Sequence, residues 1–251
     1  MKKFERNFQE RGVTGNSISV YMRTIRSVFN KAIAEGYCKK DAYPFDEYKI
    51  SKLSTDTSKR ALTKDQMMKI INVKIQPSSK LYDAKNIYLF SYYNRGMNFK
   101  DMALLKWKDI TNNRLVYARA KTGKIYNIGL LEPANKILNY YKKFTGRDKD
   151  NYVFMILNNK KHITPVQLDN RIKKTLKMIN KDLKDIANLA KVDFNLTTYV
   201  ARHSYATIMK KNGASTSVIS ESLGHGSEKT TQVYLDRFEN AVLDEANKAI
   251  L

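Results

Sequence analysis

Cysteine is nearly absent from this 251-residue chain, Cys38 being the only one. No intrachain disulfide can form, and a reducing compartment fits. Cys38 itself reads as a small residue near a helix end. The chain also has no run of about eighteen apolar residues, the length at which a membrane-spanning helix is considered. Its first residues, MKKFERNFQERG, hold no apolar stretch of the secretory type. Nor is there a basic amphipathic helix or a lipidation signal that would place it on a membrane surface. His, Cys, Asp and Glu nowhere cluster at metal-ligand spacing, and no glycine-rich nucleotide loop occurs. Paired acidic motifs of a two-metal nuclease are missing too. No metal and no cofactor is therefore expected. There is no internal repeat and no low-complexity tract.

Negative charge is in short supply. Lys and Arg number 46 against 24 Asp and Glu, a net charge of +22. The excess is +6 over residues 1–60 and +16 over 61–251, so it is not confined to one tail. Such a balance is the electrostatic footprint of a polyanion binder, with nucleic acid the first candidate. At 42% hydrophobic residues the chain has enough apolar material for a core.

Periodicity predicts the organisation. Ile18, Met22, Ile25, Phe29 and Ile33 recur at helical spacing between Thr14 and Gly36. Arg23, Arg26 and Lys31 fall off that stripe, toward solvent or a ligand. Residues 37–52 read as a turn and a short extended or helical piece. The polar stretch 53–60 reads as a linker between a small helical unit, 1–52, and a larger domain, 61–251. About 50 residues with one strong helix bury little surface alone. The small unit is expected to pack on the larger domain or on DNA, or to belong to a longer natural chain.

In the larger domain Thr63 and Gln66 match a capping box, and helical patterns cover 81–94 and 100–106. The period then changes. RLVYARA (114–120) and KIYNIGL (124–130) flank a Thr122–Gly123 turn and read as a β-hairpin. Helices are again predicted over 131–144, from Thr164–Pro165 to about Leu189, over 197–212, and from Ser215 to Gly224. Further helices are expected around Tyr234 and over 239–251. The class is mainly α with a small antiparallel β-sheet.

The chemistry concentrates near the end. ARHSYAT contains Arg202 and His203, LGH contains His225, and Tyr234 follows nine residues after His225. Arg and His bind phosphate, His also moves protons, and a deprotonated Tyr is an oxygen nucleophile. These segments, with LGHGSEKTTQVY and the spacing between them, resemble the tyrosine recombinases, or phage integrases, over roughly residues 14–240. TTYVARHSYAT and the YNRGM segment look most like integrases from mobile elements of Bacteroidetes.

The resemblance implies a DNA breaking-rejoining catalytic domain preceded by a partial SAM-like, helical core-binding domain. It implies site-specific cleavage and rejoining of double-stranded DNA, without metal or ATP, in integration or excision of a mobile element. Tyr234 would be the nucleophile, forming a 3′-phosphotyrosyl link and releasing a 5′-hydroxyl. Arg202 would hold non-bridging phosphate oxygens with its planar fork. His203 would take the tyrosine proton or orient the site, and His225 would donate to the phosphate. Lys121, on the hairpin, would protonate the leaving 5′ oxygen, with Lys124 the competing candidate and phosphate binding by both the plainer alternative. Arg23, Arg26 and Lys31 would bind DNA phosphates. His162, beside Lys160 and Lys161, matches nothing and reads as surface.

Two positions depart from the family pattern. Gly96-Met97-Asn98 stands where the family has Gly-Leu-Arg, with Asp101 at the acidic position. Arg95 is expected to reach the phosphate in place of that arginine, Asn98 adding a neutral hydrogen bond; pairing of Arg95 with Asp101 is the structural alternative. Tyr199 replaces a frequent histidine, leaving proton removal to His203 or water. The resemblance further implies four subunits on DNA and a monomer when free. It also implies accessory bending or directionality factors, and a tail (235–251) docking on a neighbour or packing in cis. The expected location is the bacterial cytoplasm, at the nucleoid. A type IB topoisomerase-like enzyme and a catalytically impaired DNA-binding relative are the competing readings.

Overall fold

A computed structural model describes residues 1–53, 61–224 and 228–232. The chain divides into two compact units, Met1–Lys59 and Arg60–Leu251.

The first unit holds helices α1 (Lys2–Glu10) and α2 (Gly15–Ala34), then two 3-10 turns, Lys40–Ala42 and Ile50–Lys52. Thr14 caps α2, its hydroxyl accepting from Ser17 N–H. The apolar stripe of α2 is buried through Ile18 and Met22, and these pack with Phe45, Tyr48 and Leu53. Leu53, expected in the linker, thus belongs to this core. Helix α1 was not expected. Its sequence is largely polar, but Phe4 packs edge-on to Phe8, and Phe8 stacks on Tyr21 of α2 at 5.0 Å. Tertiary contact, not local pattern, orders it.

The second unit contains α3 (Lys64–Asn72), α4 (Leu81–Tyr93), α5 (Phe99–Leu104), α6 (Glu132–Thr145), α7 (Pro165–Leu189), α8 (Thr198–Lys211), α9 (Thr216–Leu223) and α10 (Glu228–Gln232). Capping boxes start α3 at Thr63–Gln66 and α7 at Thr164–Gln167. Helix α4 is the centre of the core. Ile87, Tyr88, Leu89 and Phe90 are consecutive and all buried, because α6, α7 and α8 pack around it. The buried Ser204 hydroxyl of α8 accepts from Leu62 N–H at 2.8 Å, fixing the entry to this unit.

The sheet is antiparallel in the order β1-β2-β3: β1 (Ile110–Thr111), β2 (Arg114–Ala118) and β3 (Ile125–Gly129). The hairpin was expected; two-residue β1 was too short to read. Leu115 faces Ile128 and Tyr117 faces Tyr126, the two tyrosine rings stacking at 5.1 Å. The expected class, mainly α with a small antiparallel sheet, is the observed one. The helices expected around Tyr234 and over 239–251 lie outside the described residues.

Candidate active site

Three pieces of backbone bring the site together: the turn after α4, the hairpin, and the contact between α8 and the end of α9. The turn comes first. Arg95 and Gly96 both adopt left-handed backbone, at φ 58 and 67. The turn is closed by Gly96 N–H donating to Ser91 O at 2.9 Å and by the Ser91 hydroxyl donating to Met97 O at 2.7 Å. This geometry lays Gly96 directly against α8. A Cβ at position 96 would sit 2.6 Å from the Cα of Arg202, so only glycine allows the approach.

Arg202 is buried, 3% exposed. Its Nη1 donates to Gly96 O at 3.0 Å and its Nη2 to Leu223 O at 2.5 Å, the last residue of α9. Two fixed carbonyls therefore set the plane of the guanidinium. The Tyr126 hydroxyl of β3 donates to the same Leu223 carbonyl at 2.7 Å, and Arg119 Nη1 donates to Gly224 O at 3.3 Å. The C-terminus of α9 is thereby tied to both the hairpin and α8.

Asp101, on α5, is buried and accepts the Ala120 N–H at 2.8 Å. That bond fixes the hairpin one residue before Lys121. Burial pushes the Asp101 carboxyl above the usual carboxylate range. The Ala120 N–H, Arg119, Asn98 and Arg202 pull it down without cancelling that effect. Burial, and then the Asp101 charge, push the neighbouring Tyr117 phenol upward.

A cavity of about 630 Å³ opens at this junction. Lys100, Arg119, Lys121 and Arg202 line it, with Asp101 as the one carboxylate among the described lining residues. The excess of cations suits an anion. Asn98 and Tyr199 line it as well. Among the described residues, Arg95, Lys124 and His203 do not. Arg95 therefore does not stand where the sequence placed it: the left-handed turn presents Gly96, not Arg95, to the cavity. It makes no ion pair with Asp101 either, among the pairs of the described residues. His203 is buried behind Tyr199, whose ring meets it edge-on at 4.7 Å. Lys124 is exposed on the far side of the hairpin turn, its carbonyl accepting from Arg119 N–H. Arg23, Arg26 and Lys31 are exposed on α2, Lys31 within 3.7 Å of Glu35. His162 is at the surface of a turn, where its Nδ1 accepts from Asn158 N–H. His225 and Tyr234 lie outside the described residues.

Arg119, like Lys100, is a cavity cation that sequence reasoning missed. A signal for it was present: in a strand, alternate residues share a face, and Arg119 continues the inward series Leu115, Tyr117.

Comparison with known proteins places this geometry. Residues 60–240 match the model of the phage integrase family, and residues 1–50 match a phage integrase SAM-like domain. Tyrosine recombinase XerA of Pyrococcus furiosus is 28% identical over 235 residues, covering 92% of this chain and 73% of that protein. A tyrosine recombinase of Thermosipho africanus is 24% identical, covering 99% of this chain and 83% of the relative. Among solved structures, the Tn1549 transposon integrase in complex with circular intermediate DNA is similar with a TM-score of 0.68. The identity is 17%, and 100% of this chain and 83% of that one are covered. A lambda integrase tetramer bound to a Holliday junction is similar with a TM-score of 0.64, at 17% identity, covering 92% of this chain and 62% of that one.

Proposed function

Since the chain belongs to the phage integrase family of tyrosine recombinases, we propose that its cationic cavity receives the scissile phosphate of a DNA recombination site. The protein is an enzyme that cleaves and rejoins DNA. One observation carries the assignment of the cavity: Arg202, Lys121 and Arg119 converge with Asp101 around one space large enough for a phosphodiester.

The proposed chemistry is a pair of transesterifications. The Tyr234 oxygen attacks phosphorus, and its proton passes to water. Negative charge grows on the non-bridging oxygens as the five-coordinate transition state forms. A guanidinium already oriented by Gly96 O and Leu223 O needs no reorganisation to meet it. The departing 5′ oxygen takes a proton from Lys121, which the Asp101–Ala120 bond holds at the cavity. One P–O bond forms as another breaks. The phosphotyrosyl link keeps the bond energy, and attack by a 5′-hydroxyl reverses the steps. His225 donates to the phosphate, as its motif implies. Buried His203, braced by Tyr199, suits an orienting part.

The exposed Arg23, Arg26 and Lys31 and the hairpin's Lys124 supply phosphate contacts, which position the enzyme without reading sequence. Strand exchange between two duplexes needs four cleaved strands, so four subunits act on the synapsed DNA. The biological role is movement of a mobile element.

The test is cleavage of a duplex taken from the element ends flanking the gene and nicked near the cleavage position. Wild type is expected to trap a covalent adduct visible on a denaturing gel, and Tyr234→Phe to trap none. Cleavage that survives Tyr234→Phe would overturn this mechanism.

A further inference from the structure

We propose that Arg119, on the β-hairpin, is a second phosphate-binding cation of this enzyme, occupying the role left open by Asn98. The inference rests on reading the cavity as the site of the scissile phosphate.

The need is electrostatic. Two non-bridging oxygens gain charge in the transition state. Arg202 is one buried guanidinium that meets them, and Asn98 stands where the family pattern puts another arginine. An amide donates a hydrogen bond but neutralises nothing. A second cation must come from elsewhere; with Lys121 assigned to the leaving oxygen, the candidates among the described residues of the turn, α5 and the hairpin are Arg95, Lys100 and Arg119. Arg95 does not line the cavity. Lys100 does, but it is an exposed point charge on a flexible stem. Arg119 lines the cavity, is half-buried, and is close enough to Asp101 to lower its proton affinity, as Arg202 is.

The backbone around Arg119 is held by hydrogen bonds on both sides of the hairpin turn. Its N–H donates to Lys124 O at 2.9 Å, and its carbonyl accepts from Thr122 and Gly123 N–H at 3.2 and 2.9 Å. The next N–H, that of Ala120, is held by Asp101. Among the described residues its side chain is anchored at one edge, by Nη1 on Gly224 O at 3.3 Å. The Nε is buried with no hydrogen-bond partner among the described residues. A buried guanidinium N–H left unmatched is costly, and the site holds two arginines against one carboxylate. Both features are met by a bound anion. Placing the cation on the hairpin also puts it two residues from Lys121, so charge neutralisation and protonation of the leaving oxygen act from one rigid segment.

The test compares wild type, Arg119→Ala, Arg119→Gln and Arg95→Ala on the nicked substrate described above. Each substrate carries either the natural phosphate or a neutral methylphosphonate at the cleavage position. On natural phosphate, Arg119→Ala is expected to lower the rate of adduct formation about 10²–10³-fold, as loss of a preorganised oxyanion partner does. DNA affinity by gel shift should change far less. On methylphosphonate the gap to wild type should shrink at least tenfold, because a neutral group needs one cation fewer. A residue with a purely structural part would give the same gap on both substrates. Arg119→Gln keeps the side chain's bulk and covers the case in which alanine unfolds the hairpin; it should show the same substrate-dependent gap. Arg95→Ala should stay within a few-fold of wild type. An active wild type with Arg119 variants that cleave natural phosphate normally, or with a gap indifferent to the phosphonate, overturns the inference alone. A wild type that forms no adduct on DNA it binds overturns the reading of the site, and the inference with it.

Discussion

Gly96→Ala is a sharp single perturbation of this fold, and its two costs can be separated. Position 96 is left-handed at φ 67, and an added Cβ would stand 2.6 Å from Arg202 Cα and 2.8 Å from its Cβ. Left-handed backbone costs an L-residue about 1–2 kcal/mol, and forcing a methyl into a packed contact costs about 1–3 kcal/mol more. The sum is about 2–5 kcal/mol, a large share of an ordinary domain's stability. In a unit of this size each kcal/mol lowers Tm by about 2–4 °C, so a fall of roughly 4–20 °C is expected. Gly213→Ala is the control. Its φ is 84 with nothing within 4 Å of the added Cβ, so it carries the backbone cost alone, a few degrees. Circular dichroism melting of both variants measures the difference. Cleavage by folded Gly96→Ala should also fall more than DNA affinity, since Gly96 O orients Arg202. Equal melting shifts in the two variants would mean that the close approach of the turn to α8 is wrong.

Three further outcomes are expected. Ser204→Ala leaves the Leu62 N–H buried and unmatched and should cost about 1–3 kcal/mol; denaturant unfolding checks it, and no change would remove the α8 tether. Tyr126→Phe also loses a buried bond, but Leu223 O keeps Arg202 as a donor. Its cost should be nearer 1 kcal/mol, and a larger loss than for Ser204→Ala would contradict this accounting. Asp101→Asn tests the raised carboxyl. A folded-state pKa above the unfolded value means that ionisation opposes folding, so the penalty is full at neutral pH and vanishes once the group is protonated in both states. Asp101→Asn should therefore melt at or above wild type at pH 7, with the difference closing on acidification through the carboxylate range, while cleavage falls because the hairpin anchor is weakened. A variant less stable than wild type at pH 7 that gains on it in acid would have the sign reversed.

Much of this was legible in the chain. Helices α2, α3 and α7 announce themselves by apolar spacing and by Thr caps whose partners are local. The hairpin shows as two short alternating runs around a glycine turn. Helix α1 does not, because its order comes from Phe8 stacking on Tyr21, a contact no local pattern encodes. The site was half legible. Arg202, Lys121, Asn98, Asp101 and Tyr199 do meet at one cavity. Arg95 was assigned by its distance along the chain from the missing arginine, and two successive left-handed residues defeat that logic by presenting Gly96 instead. Arg119 was read as an ordinary strand residue. Its inward place follows from strand alternation, but its meeting with Arg202 depends on the contact between the hairpin and the end of α9, some hundred residues later.

The most direct measurement is the chemical identity of the cleavage intermediate. Wild-type protein is incubated in EDTA with the nicked duplex from the element ends, the adduct is digested, and the DNA-linked peptide and the free DNA end are characterised by mass spectrometry. A 3′-phosphate esterified to Tyr234, with a free 5′-hydroxyl on the released strand, is expected. An adduct on another residue, a 5′-linked adduct, or cleavage that leaves no protein on the DNA would contradict the assignment of this chain's chemistry.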